Sequence, residues 1–181
     1  MWIGRGGAGL FTIALLLGVA TGCRATPKPP ASQPAVAVGQ VRLDEAGVTL
    51  APPAGWGRKP DEVVSDARTI AYVSPTGDTA VGVIRFTMPL PAWPDLALWG
   101  FLQRMKQHEG RADLIEKRFD SDAKVLRFVA EGGRYRVRTN LAVRGTAGWA
   151  IFAGTRLGRP INEAELKLAE SARDSAAIDS D

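Results

Sequence analysis

The stretch that decides the fold runs from residue 114 to residue 157, LIEKRFDSDAKVLRFVAEGGRYRVRTNLAVRGTAGWAIFAGTRL. It divides into four strand-like runs, Leu114 to Phe119, Lys124 to Ala130, Arg134 to Val143 and Trp149 to Leu157. Asp120-Ser121-Asp122, Glu131-Gly132-Gly133 and Gly145-Thr146-Ala147-Gly148 separate them. Gly, Asp and Ser clusters between β-branched and aromatic runs are hairpin chemistry, so four such runs in series predict an antiparallel meander.

Upstream, Ala67 to Val73 and Ala80 to Met88 flank Ser74-Pro75-Thr76-Gly77-Asp78, which predicts one more hairpin. Val41 to Leu43 and Val48 to Leu50 read as short strands around Asp44-Glu45-Ala46-Gly47. Between the hairpin and the meander, Pro94-Asp95 opens a segment with Leu98, Phe101, Leu102 and Met105 at helical spacing and a Gly110 stop. After the meander, Asn162 with Glu165 three residues on is a capping-box arrangement, and Leu166, Ala169 and Ala172 or Arg173 follow along one side. The order of strands, helix, four strands, helix predicts an α+β domain in which two helices pack on a mostly antiparallel sheet.

The chain has 181 residues, 45% hydrophobic and 23% charged, which suits one ordinary globular domain. One Cys excludes an internal disulfide and one His excludes a multi-histidine metal site. The first residues are of another kind. Arg5 is followed by the uncharged apolar run Leu10 to Val19, whose ten residues are about half of the roughly 20 that cross a bilayer, and no cationic stop-transfer cluster follows. Residues 1–22 therefore read as a cleaved targeting segment. Gly4, Gly6 and Gly9 match a dinucleotide-binding spacing, but no strand precedes them to deliver such a loop.

Ala20-Thr21-Gly22-Cys23 resembles the lipobox of bacterial lipoproteins, in which the Cys is acylated and becomes the new N-terminus. The resemblance implies a lipid anchor at Cys23. With Arg24 rather than Asp in the next position, it also implies an outer-membrane address, the domain facing the periplasm. Residues 23–40 then form a Pro-rich tether (Pro27, Pro29, Pro30, Pro34), reaching about 50 Å at polyproline spacing. Residues 41–178 form the folded domain and 179–181 a tail. Removal of 1–22 leaves 22 Lys+Arg against 19 Asp+Glu, or +3, too small an excess to imply nucleic acid.

Gly47-Val48-Thr49-Leu50 running into Pro53-Ala54-Gly55-Trp56 resembles the opening of PsbP-like domains, and the element order through Ala177 is similar. This fold occurs in photosystem II extrinsic proteins, a Ran-binding nuclear import factor and bacterial DcrB-like lipoproteins. The resemblance implies an α-β-α sandwich that acts by binding other proteins; it transfers no catalytic residue.

Chemistry is sparse in the sequence. His108 falls in the last turn of the first predicted helix, where the helix dipole favours a cation, and it has no evident nucleophile partner. There is no G-x-S-x-G elbow. Asp120-Ser121-Asp122 lacks the further oxygens of a calcium loop. The expectation is a non-enzyme without metal or cofactor. Two features point to binding. Arg134, Arg136 and Arg138 at period two should share one sheet face opposite Tyr135, Val137, Thr139, Leu141 and Val143, as a reader of anionic polymer or as a solvated face neutralised by Glu116 or Glu131. Among Trp56, Trp93, Trp99 and Trp149, most are expected to bury, Trp149 as a core member, whereas Trp93, set among Pro89, Pro91 and Pro94, is the one expected at the surface. The leading functional expectation is a membrane-anchored lipoprotein that binds or stabilises an envelope protein. An anionic-polymer binder is second and an uncharacterised hydrolase third.

Overall fold

A computed structural model describes residues 39–179. The segments read as a targeting peptide and lipidation site lie outside them, as does all but the end of the tether. The elements are β1 (Val41–Leu43), β2 (Val48–Leu50), β3 (Gly57–Arg58), β4 (Glu62–Val64), β5 (Ala67–Val73), β6 (Thr79–Thr87), α1 (Pro94–Glu109), β7 (Asp113–Asp120), β8 (Val125–Glu131), β9 (Tyr135–Arg144), β10 (Ala147–Arg156), α2 (Glu163–Asp174) and β11 (Ala177–Ile178). The domain is α+β, with a mostly antiparallel sheet and two helices.

The main sheet has eight strands in the order β3-β5-β6-β10-β9-β8-β7, with β4 also paired to β5. The meander β7 to β10 is antiparallel throughout, and β10 closes it onto β6 with Ile151 opposite Val83. The chain thus leaves the sheet centre at β6, crosses one face as α1, and re-enters at the far edge as β7.

Alternation along the central strands supplies two cores. On one face Ile70, Val81, Val83, Trp149, Ile151 and Ala153 pack with Ala169 and Ala172 of α2. Leu43, Ala46, Val48 and Leu50 join that core from the small sheet β1-β2-β11. On the other face Leu126, Phe128, Ala130, Leu141 and Ala150 pack with Ala97 and Leu98 of α1. One helix lies on each face. The two sheets are fastened by Trp149, whose buried indole Nε1 donates to the Ala46 carbonyl at 2.7 Å.

Two sequence expectations at helix ends resolve differently. Gly110 closes α1 in the left-handed region at φ 79°, its N–H donating to the Lys106 carbonyl at 2.9 Å, a conformation glycine adopts without a Cβ penalty. Asn162 caps α2 by accepting from the Ala164 and Glu165 N–H groups at 3.2 and 3.3 Å. The reciprocal half of the capping box is absent: Glu165 instead accepts from the Thr76 hydroxyl at 2.8 Å, tying the β5–β6 turn to α2.

Candidate interaction surface

The first two turns of α1 are apolar on both sides. Pro94 begins the helix with its φ preset, and Trp93 before it is extended and makes no side-chain cap bond. Ala97 and Leu98 face inward and are buried, and Phe101, Leu102 and Met105 are partly buried in the same core. Opposite them Trp93 is 80% exposed, Leu96 56% and Trp99 60%, and Leu90 in the entering loop is 73% exposed. The outward row continues through Gly100, Gln103 and Gln107 and carries no charge.

Two of the charges beside this strip are engaged elsewhere, while Lys106, about two helical turns after Trp99, is exposed. Lys117 of β7 donates to Asp95 at 2.8 Å, and Arg104 pairs with Asp66. Burial alone would raise the Asp66 carboxyl, but its own backbone N–H and Arg104 together hold it below its ordinary value. Two indoles and two leucines turned to solvent are unusual for a helix whose other face already fills a core, since amphipathic surface helices ordinarily present charge outward.

Trp93 is exposed, as its Pro-rich setting led us to expect. Trp99 departs from the expectation that its kind buries. It stands about 100° from Leu98 on the helix, off the Leu98-Phe101-Leu102-Met105 stripe, so the helix period itself turns it away from the core. Trp149 is a core residue, 5% exposed, and Trp56 packs partly buried against the same core.

The three arginines do not form the single face that alternation suggested. The Gly132-Gly133 turn extends one residue further than expected, so β9 begins at Tyr135 and Arg134 lies before the strand. Arg134 turns to the α1 side, where its Nη2 donates to Glu109 Oε1 at 2.7 Å and its backbone N–H to Oε2 at 2.8 Å. The Arg134 guanidinium is the main cause of a Glu109 pKa below the ordinary 4.5. Arg136 and Arg138 do share the α2 side of the sheet, but each is already matched, Arg136 to Glu131 and Arg138 to Glu170 of α2. They line an open groove of about 430 Å³ with Glu116, Glu170, Arg127 and Arg173, the last two paired to Asp120 and Asp174. With carboxylates interleaved at this spacing the groove offers mixed charge rather than a cationic track, which weakens the case for a polyanion.

His108 is exposed at the end of α1. Asp120, the last residue of β7, spends one oxygen on the Ala123 N–H at 3.0 Å and lies 3.3 Å from Arg127, the chemistry of a stabilised turn. Among the described residues no group of three or more His, Cys, Asp or Glu side chains is placed to hold a metal ion, and no helix is long and apolar enough to cross a membrane.

No family model and no curated protein matches the chain. Among solved structures, a 1.50 Å crystal structure of a protein from Bacteroides thetaiotaomicron VPI-5482 is similar over 79% of this chain at 11% identity, with a TM-score of 0.41. The chain spans about half of that protein's length, 49%.

Proposed function

We propose that the protein is a lipid-anchored, non-catalytic envelope lipoprotein whose domain docks a protein partner through the outer strip of α1. The observation that carries the reading is the uncharged row of Trp93, Leu96 and Trp99, extended by Leu90, on a helix whose opposite face is already packed. Tryptophan is the residue most enriched where interfaces concentrate their binding energy, because one side chain removes a large apolar area from water.

The remaining parts of the reading come from sequence. Cys23 would be acylated in its lipobox-like setting, residues 1–22 removed, and 23–40 would tether the domain at the outer membrane on the periplasmic side. The finer fold assignment, a PsbP-like α-β-α sandwich, is supported by the Pro53 to Trp56 motif and by one helix on each sheet face. The polyanion alternative is disfavoured by the ion pairs that already occupy Arg134, Arg136 and Arg138.

The test has two arms. Mass spectrometry of the mature N-terminus should find acylated Cys23, and Cys23→Ala should release the protein from membranes; an unmodified Met1 terminus would end the lipoprotein reading. Affinity capture from envelopes should recover a protein that Trp93→Ser/Trp99→Ser no longer retains. Equal recovery by both forms would remove the α1 strip from the account, and a strong loss of recovery with rising salt would favour the polyanion reading instead.

A further inference from the structure

We propose that the free β7 edge pairs with the β7 edge of a second copy of this chain, antiparallel and centred on Lys117. The inference is independent of the α1 strip and of lipidation.

Among the described residues β7 ends the main sheet, with β8 on one side and no strand on the other, so its outer N–H and C=O groups are open to a further strand. Natural edges of this length are ordinarily guarded by proline, by a bulge or by charges that an incoming strand would bury. In β7 there is no Pro or Gly, and the bulge falls at its start, between Leu114 and Glu116, leaving Glu116 to Asp120 regular against β8, so the guard of this edge is charge: Glu116, Lys117, Arg118 and Asp120. Leu114, Ile115 and Phe119 are exposed.

The charges select the occupant. Glu116 and Arg118 lie opposite Val129 and Arg127 of β8, two residues apart and on one face. Neither has an oppositely charged partner within 4.0 Å among the described residues, and Arg118 has the like charge of Arg127 beside it. Two opposite charges placed symmetrically about one residue become complementary when such a strand pairs antiparallel with its own copy. A twofold axis at Lys117 sets Glu116 of each copy against Arg118 of the other, twice over, within the regular part of the strand. Lys117 meets its own copy at the axis, on the other face, where each ammonium is already held by Asp95. A symmetric interface of this kind is isologous and closes as a dimer.

The test uses the full chain carrying Lys117→Cys, since Cys23 is its one native cysteine. Mild oxidation should give a dimer in which mass spectrometry finds a 117–117 disulfide, while Gln107→Cys, exposed on α1, should give far less. Added Glu116→Arg should lower the yield about tenfold by turning two attractive cross-strand pairs repulsive, and adding Arg118→Glu as well should restore it. Circular dichroism of each variant separates a lost interface from a lost fold. A 117–117 yield no greater than the Gln107→Cys control, or a yield indifferent to both charge changes in folded protein, would overturn the proposal.

Discussion

Replacing Trp149 with Phe should be among the costlier conservative changes in this domain, because the indole joins two sheets as well as filling a core. Its Nε1 donates to the carbonyl of Ala46, in the β1–β2 turn, at 2.7 Å, and both residues are buried. Phenylalanine leaves that carbonyl without a donor in a site closed to water, which costs about 1–3 kcal/mol. The smaller ring also leaves part of the core that Trp149 shares with Val48, Val83 and Ile151 unfilled, for about 1 kcal/mol more. The sum, about 2–4 kcal/mol, is a large fraction of the roughly 5–15 kcal/mol that stabilises such a domain. Urea denaturation followed by circular dichroism reads it as a lower midpoint at unchanged slope. Trp93→Ser, at a position 80% exposed, should by contrast move stability by less than about 0.5 kcal/mol. A Trp149→Phe protein within 0.5 kcal/mol of wild type would refute the claim that this bond and its packing couple the small sheet to the main one.

Three further outcomes follow from individual contacts. The Glu109 carboxyl is held below its ordinary 4.5 chiefly by Arg134, and a carboxylate depressed on folding contributes stability above its unfolded pKa that is lost as pH falls through the folded one. Melting temperature should therefore fall as pH drops below about 4.5, and Arg134→Gln should make that fall shallower; an unchanged acid slope would show that the pair does not contribute. Thr139→Val should raise stability by about 1 kcal/mol in urea melts, because the Thr139 hydroxyl is buried without a partner and valine has nearly its shape. A destabilised Thr139→Val would reveal a bond to that hydroxyl. Gly82→Ala should cost about 3 kcal/mol or more, since a Cβ there would stand 2.3 Å from the Ile70 carbonyl oxygen, which is part of the β5–β6 ladder and cannot swing aside. A well-folded Gly82→Ala protein with wild-type melting would contradict that packing.

What the sequence disclosed and what it hid differ in how local their causes are. The meander was legible because each strand carries its own apolar run and each turn its own Gly or Asp. The two helices were legible because Gly110 and Asn162 terminate them by short-range bonds. β3, β4 and β11 have two or three residues each and owe their pairing to β5 and β2 rather than to any pattern of their own. The arginine face was misread because alternation applies only inside a strand: Arg134 precedes β9, and Glu109, 25 residues away in sequence, holds it on the α1 side. The partners of Arg138 and Arg104 are similarly distant, Glu170 and Asp66, and only folding brings them together. Trp99 was within reach of sequence reasoning. Placing Leu96 and Trp99 on the same helical period as Leu98 and Phe101 turns both away from the core, and the second apolar side of α1 appears at once.

Docking through that second side is tested most directly by site-specific photocrosslinking in intact cells. A photoreactive side chain at Leu96 should crosslink a discrete protein species, and Trp93→Ser/Trp99→Ser should abolish the product while the domain stays folded. The same group at exposed Leu168 on α2 should not form it. A product of equal yield from Leu168, or one from Leu96 that survives loss of both tryptophans, would contradict docking through the outer strip of α1.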